Sequence, residues 1–273
     1  MSTRINPVIK PVIETFRAIY GRTTVFAKSP HAAINGLLVM GDAGTGKTHW
    51  VRQALRDAGV QSKVEMMKGG TLTAASLYVK MFLNRASDRI MVFDDVDLLG
   101  HPEKNKIIPM ILGACQEGKN RQVTWSTARK NALMEEYDVP FEFEFNGKII
   151  FITNYTWDDI KAKAKQWTQA FSSRFNDAEC IFTHEQKYMY TRHLVDVEDM
   201  LGANCQVHEY KDDKGVLQRG YPVDVVEQTI NFIDDNYENF SEITPRVAVK
   251  IADTIHYNDD EEMMHIMLDS LVK

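Results

Sequence analysis

Residues 41–48 read Gly-Asp-Ala-Gly-Thr-Gly-Lys-Thr, preceded by the apolar run Gly36-Leu37-Leu38-Val39-Met40 and followed by a helical pattern over Thr48–Ala58. A buried strand that feeds a glycine-rich turn and then a helix start aims successive backbone N–H groups, and the positive end of the helix dipole, at one point. Such a point suits a polyphosphate. Gly41, Gly44 and Gly46 permit backbone geometry that a Cβ would hinder, Lys47 reaches the outer phosphates, and the Thr48 hydroxyl can ligate Mg²⁺. Asp42, Ala43 and Thr45 complete the turn. His49, next in sequence, counts with the residues around the nucleotide, although its ring is expected to pack on the first helix rather than to catalyse.

Four further polar side chains stand where strands or helices end. Asp94 terminates the apolar run Ile90-Met91-Val92-Phe93, where a carboxylate can hold Mg²⁺ directly or through water. Asp95 points elsewhere on a chain of period two, toward the place of an attacking water. Neighbouring acids with separate tasks, metal and base, indicate hydrolysis. Lys148–Thr153 is another apolar run and leads into Asn154, whose amide offers a donor and an acceptor to position that water. Arg174 follows a helical stretch and precedes the last strand; its permanent, forked charge can neutralise a transferring phosphoryl group. At that place it is expected to point out of its own subunit.

The elements that must carry these groups alternate. A helix over Pro7–Tyr20 leads, with Val8, Ile9, Val12, Ile13, Phe16 and Ile19 at helical spacing. Strands are expected at Ser62–Met67, Ile90–Phe93, Lys148–Thr153 and Ala178–Thr183, and helices at Thr73–Asn84, Asn105–Cys115 and Asp158–Phe171. This order implies a parallel sheet covered on both faces, with ligand residues at the carboxyl ends of its strands. Beyond Glu185 the strand signals fade. His184–Leu201, Pro222–Tyr237, Thr244–His256 and Asp259–Leu271 carry helical stripes, interrupted by the polar, glycine-containing stretch Ala203–Gly220. The expected domains are an N-terminal helix and linker over 1–30, an αβα domain over 31–185 and a small helical domain over 186–273.

Composition narrows the setting. The 273 residues carry a net charge of −6, but residues 1–185 hold 24 basic against 20 acidic side chains and residues 186–273 hold 8 against 18. A polyanion would therefore meet the front portion. No apolar run is long enough to cross a bilayer, and Met1-Ser2-Thr3-Arg4 is unlike a signal peptide, so a soluble, cytoplasmic protein without a membrane partner is expected. Cys115, Cys180 and Cys205 form no CxxC pair and read as buried small hydrophobes. His193 and His208 have no ligand partner at metal spacing. The acidic run Asp259-Asp260-Glu261-Glu262 lacks the spacing and turn glycine of a calcium loop and reads as a helix start.

Taken in this order, the motifs resemble the AAA+ ATPase superfamily over roughly residues 7–273. The fold that this resemblance implies is an α/β P-loop NTPase, a three-layer αβα parallel sheet followed by a small all-helical lid. Gly41–Thr48 looks like Walker A, Ile90–Asp95 like Walker B and Asn154 like sensor 1. Ser173-Arg174 resembles the Ser-Arg finger of the clamp-loader and initiator branches, which acts on ATP bound by the neighbouring subunit, so a homo-oligomer is implied with ATP and Mg²⁺. Thr244-Pro245-Arg246 looks like sensor 2, with Arg246 either reporting the γ-phosphate or simply standing on the surface. Where the superfamily usually has Glu, Asp95 is one methylene shorter, which sets the water farther back and argues against fast turnover. The compact size also resembles bacteriophage-encoded members, whose place is the host cytoplasm.

The segment Gln116–Gly147 is longer than such units require and reads as an insertion. Lys119, Arg121, Trp125, Arg129 and Lys130 within it fit single-stranded or duplex DNA, since cations track phosphates while a ring stacks on bases. A structural insertion with packed aromatics stands beside that reading. The run Phe141-Glu142-Phe143-Glu144-Phe145 reads as a short strand or hairpin arm. Lys161, Lys163 and Lys165 spread around a helix as a solvated face. The sequence thus points first to an ATPase that loads or remodels a nucleic-acid machine. Remodelling of a protein partner is the alternative, lowered because Met66–Leu72 has no aromatic residue. A nucleotide-gated scaffold with slow turnover stays open through Asp95, and a small-molecule kinase is disfavoured by the acidic, arginine-poor helical region.

Overall fold

The computed structural model describes residues 6–29, 35–69, 72–118, 121–126, 129–206, 208–212, 214–258 and 260–272. Among the described residues two compact units emerge: those of 15–42 with 47–180, and those of 6–14 and 43–46 with 181–272.

The first unit is built on a parallel sheet. Its elements in chain order are α1 (Lys10–Lys28, from Thr15 onward), β1 (Gly36–Gly41), α2 (Lys47–Asp57), β2 (Val64–Lys68), α3 (Ala74–Leu83), β3 (Ile90–Asp94), α4 (Lys104–Ala114), β4 (Gln122–Thr124), α5 (Ala132–Glu136), β5 (Glu142–Glu144), β6 (Lys148–Ile152), α6 (Trp157–Arg174) and β7 (Phe175–Cys180). The strand order is β2-β3-β6-β1-β7, all parallel. β1, β3 and β6 are buried at every position, which is why they read as continuous apolar runs. Phe93 and Phe151 stack at 4.5 Å across β3 and β6, and Leu77, Tyr78, Ile107 and Ile111 from α3 and α4 join the same core. Thr73 caps α3 as its position suggests, accepting from the Ser76 amide.

Register fixes where the polar groups emerge. Asp94 lies opposite Ile152, and Ile152 opposite Val39, so β3 and β6 end together, two residues before β1 ends at Gly41. The buried Lys148 starts β6 at the other end, its ammonium donating to backbone carbonyls of Phe26, Ala27 and Ser29. It thereby satisfies the C-terminal carbonyls of α1, a helix that continues eight residues past the expected end.

The second unit contains α7 (His184–Asp196), β8 (Glu209–Lys211), β9 (Leu217–Arg219), α8 (Val223–Asn236), α9 (Pro245–Tyr257) and α10 (Glu261–Val272). Val225, Ile233, Ile251 and Leu268 line its own core. The polar interruption between its first helices is an antiparallel hairpin, β8 on β9, with Gly215 at φ +74° in the turn. Among the described residues no helix is long and apolar enough to cross a membrane.

Candidate active site

The site grows from the end of β1. Gly41 has φ +118°, and a Cβ there would lie 2.3 Å from the carbonyl oxygen of Cys180 on β7, so this turn tolerates only glycine. The Asp42 amide donates to the same carbonyl at 3.0 Å. Gly44 and Gly46 follow at φ +72° and +108°, and α2 opens at Lys47. Asp42, Ala43 and Gly46 are half-buried and Thr45 is buried.

Lys47 is 5 % exposed and donates its ammonium to the carbonyls of Gly41 (2.8 Å) and Asp42 (2.6 Å) and to Asn154 Oδ1 (3.1 Å). A buried cation needs such partners. One residue on, the Thr48 hydroxyl donates to Asp94 Oδ1 at 2.7 Å, and Arg52 Nη2 stands 4.0 Å from Asp94 Oδ2. Asp94 is buried. Asp95 leaves the strand in the left-handed region, φ 59°, with its amide donating to the Ile152 carbonyl at 2.9 Å. Asp and Asn adopt that backbone more readily than other side chains. The Asp95 carboxylate accepts from Asn154 Nδ2 at 2.9 Å. Because an ammonium only donates and a carboxylate only accepts, the two ends of the Asn154 amide are assigned by their partners.

Two short chains of hydrogen bonds therefore meet beside the glycine turn: Lys47–Asn154–Asp95 and Thr48–Asp94. The predicted Lys47, Thr48, Asp94, Asp95 and Asn154 come together. The hydroxyl and carboxylate are hard oxygen donors of the kind Mg²⁺ takes in small number, with water and phosphate oxygens filling the rest of its shell, so the donor set fits that ion. Among the described residues no group of three His, Cys, Asp or Glu side chains could hold a metal.

Arg174 lies elsewhere. Its guanidinium folds over the last turn of its own helix, Nη1 standing 3.2 Å from the Ala170 carbonyl and 3.3 Å from Ser173 Oγ, with Nε buried and unpartnered. The register pairs the next residue, Phe175, with Gly36, the start of β1, so roughly 17 Å of strand separates Arg174 from the glycine turn of its own chain. Arg246 is exposed on the first turn of α9, in the unit that also holds residues 43–46. There Gly44 lies against Thr244, whose Oγ1 would be 2.8 Å from a Cβ.

His49 stands edge-on to Trp50, whose indole faces α1 at 6.0 Å from Phe16 and 6.3 Å from Tyr20. One expectation is corrected. In the insertion, Arg121 is buried, donating to the carbonyls of Ala114 (2.8 Å) and Gly147 (3.0 Å), and Trp125 packs at 5.3 Å from Tyr78. Arg121 is therefore withdrawn from the surface, while Trp125 is half-buried. β4 and β5 pair antiparallel, and this pairing turns Val123 and Phe143 into the core. Lys130 faces Asp138 at 3.8 Å, Arg129 is exposed, and Lys119 lies outside the described residues.

Sequence reasoning missed Tyr155, Asp97 and Arg52. The Tyr155 hydroxyl donates to Asp97 Oδ1 at 2.8 Å and ties the chain after Asn154 to the chain after Asp95. Desolvation, then the Asp97 bond, push Tyr155 up to about 12. No spacing rule announces that pair. Arg52 had a signal, its place four residues after Thr48 on one helix face.

No family model matches the chain. It is 27% identical over 243 residues to an uncharacterized 36.7 kDa protein from the nrdC-mobD intergenic region of Enterobacteria phage T4, covering 86% of this chain and 69% of that one. Among solved structures it is similar to domain III of the Thermotoga maritima replication initiation protein DnaA, at 14% identity and TM-score 0.47, over 99% of this chain and 100% of that one. It is also similar to DnaA bound to AMPPCP and single-stranded DNA (10%, TM-score 0.47, 97% and 66% of the chains). A third is the Thermotoga maritima RuvB Holliday junction branch migration motor (10%, TM-score 0.46, 94% and 63%). The glycine loop leaving β1, the acid pair at the tip of β3 and the amide after β6 are the features by which this chain resembles P-loop proteins of the AAA+ superfamily.

Proposed function

We propose that the chain binds ATP with Mg²⁺ and hydrolyses it, and that Arg174 of an adjoining copy completes the reaction. The observation that carries this reading is the linked pair of chains Lys47–Asn154–Asp95 and Thr48–Asp94 at the glycine turn. Thr48 and Asp94 would hold the metal, whose chemistry is to neutralise phosphate charge. Lys47 exchanges the Gly41 and Asp42 carbonyls for outer phosphate oxygens. Asn154, released from Lys47, turns its Oδ1 to the attacking water while Nδ2 stays on Asp95. The Asp95 carboxylate takes a proton from that water as its oxygen bonds the γ-phosphorus and the bond to the β-bridging oxygen breaks, leaving ADP and phosphate. Arg174 neutralises the transferring group. Its distance from its own glycine turn supports service to a neighbour's site, and hence a homo-oligomer.

The biological task we infer is loading or remodelling of a nucleic-acid machine in the cytoplasm, the host's if the chain is phage-encoded. The support is the Ser173-Arg174 pair and the basic balance of residues 1–185. A second reading, a nucleotide-gated scaffold with slow turnover, is favoured by Asp95, short and tied to Asn154.

The test is ATP hydrolysis with Mg²⁺ alone and with single-stranded DNA, duplex DNA or unfolded polypeptide, beside size-exclusion chromatography with a slowly hydrolysed ATP analogue. Analogue-dependent assembly and stimulation by DNA are expected. Stimulation by polypeptide alone overturns the nucleic-acid task, and assembly with negligible turnover selects the scaffold.

A further inference from the structure

Arg52 occupies an unusual place. It lies one turn after Thr48 on α2, so both side chains fall on one helix face, above the tip of β3. Between them they address both oxygens of one buried carboxylate: Thr48 donates to Asp94 Oδ1 at 2.7 Å, and Arg52 Nη2 stands 4.0 Å from Oδ2. The guanidinium is otherwise weakly held. Its Nη2 contacts Met66 Sδ at 2.7 Å, a thioether that accepts poorly, and its Nε is buried without a hydrogen-bond partner. A forked cation with unused donors beside a buried acid, too far for a direct hydrogen bond, is poised rather than seated.

We infer that Arg52 is an internal stand-in for the divalent cation, neutralising Asp94 when the metal is absent and yielding that carboxylate when the metal arrives. The inference rests on the nucleotide site proposed above and deepens it. A buried carboxylate without a counter-charge is costly, so a metal-free site held only by the Thr48 hydroxyl would be unstable. The same guanidinium, being of like sign to the metal, opposes metal entry at close range. Arg52 therefore sets the Mg²⁺ concentration at which the site loads, trading metal affinity for a metal-free state that stays folded. Arg52 is a positioning residue; it makes no contact with the reacting atoms in this account.

The test compares wild type, Arg52→Gln and Arg52→Lys in two arms. In the first, thermal melting is followed in EDTA and across a titration of Mg²⁺ alone. Arg52→Gln should melt below wild type in EDTA and recover as Mg²⁺ is added, with its midpoint at about tenfold lower Mg²⁺ than any wild-type response. Arg52→Lys, which keeps the charge, should follow wild type. In the second, ATP binding is titrated calorimetrically at fixed Mg²⁺ levels, and Arg52→Gln should reach tight binding at about tenfold lower Mg²⁺. Unchanged Mg²⁺ dependence in both arms overturns the inference and leaves Arg52 as packing for Met66. Equal weakening of ATP binding with and without metal also overturns it, by making Arg52 a phosphate ligand. Should wild type bind no ATP while the melting arm behaves as expected, the inference stands and the nucleotide reading falls.

Discussion

The tips of β1, β3 and β6 and the insertion over 116–147 draw on similar side chains, lysine, arginine, an amide or an aromatic ring, and treat them in opposite ways. At the strand tips, parallel register and the glycine turn bring Lys47, Thr48, Asp94, Asp95 and Asn154 together, where each polar group finds another. In the insertion, two three-residue strands pair antiparallel, and the flanking Arg121 and Trp125 are drawn inward to carbonyls and to Tyr78. A cation in the sequence is a surface cation only if no backbone carbonyl needs it more. Where an apolar strand ends, geometry exposes the next residue; where a short strand pairs beside a core, it does not.

That contrast is broken or sharpened by substitution. The largest effect is expected at the turn: Lys47→Ala should abolish ATP binding in calorimetry, while Asp95→Asn should keep binding and stop turnover. Equal loss of binding in both would erase the division of labour between the two chains of hydrogen bonds. Next, Arg174→Ala should preserve binding and lower the hydrolysis rate by about 10³-fold or more, measured as steady-state phosphate release. On the insertion side, Arg121→Ala should cost about 3 kcal/mol of stability in denaturant melts, because two buried carbonyls lose a charged donor, while DNA affinity stays at the wild-type value. A DNA defect without a stability loss would reverse the reading of that segment.

The smallest effect concerns pH and the second unit. Desolvation first, then His256, hold the buried His208 below the ordinary 6.5. The unfolded chain therefore takes up the proton first, so stability is full above pH 6.5 and falls as pH drops toward the folded-state value. All four tryptophans lie in the first unit, so the loss should appear in far-UV ellipticity with little change in tryptophan emission. His208→Phe should remove that pH dependence.

The sheet was legible because buried parallel strands are unbroken apolar runs, and the site because its groups stand directly after them. β7 was less so. Its residues Phe-Asn-Asp-Ala-Glu-Cys alternate in burial at the sheet edge, and the apolar stretch just beyond drew the expected strand three residues late. α1 runs past Tyr20 because Thr23 and Phe26 continue its buried stripe, which the weak helix formers Gly21 and Thr24 disguise. The β8–β9 hairpin hides in polar residues, its turn held by Asp212 accepting from the amides of Lys214 and Val216. Arg121, Trp125 and the Tyr155–Asp97 tie depend on tertiary partners that no local pattern displays.

The central claim is that a glycine turn in one copy and Arg174 in another form one hydrolytic site. Mixing Arg174→Ala subunits with Lys47→Ala subunits, each inactive alone, tests it by phosphate release. The mixture should recover activity, since the first supplies an intact turn and the second an intact arginine. A mixture as inactive as its components, under conditions where the two variants co-assemble, would contradict it.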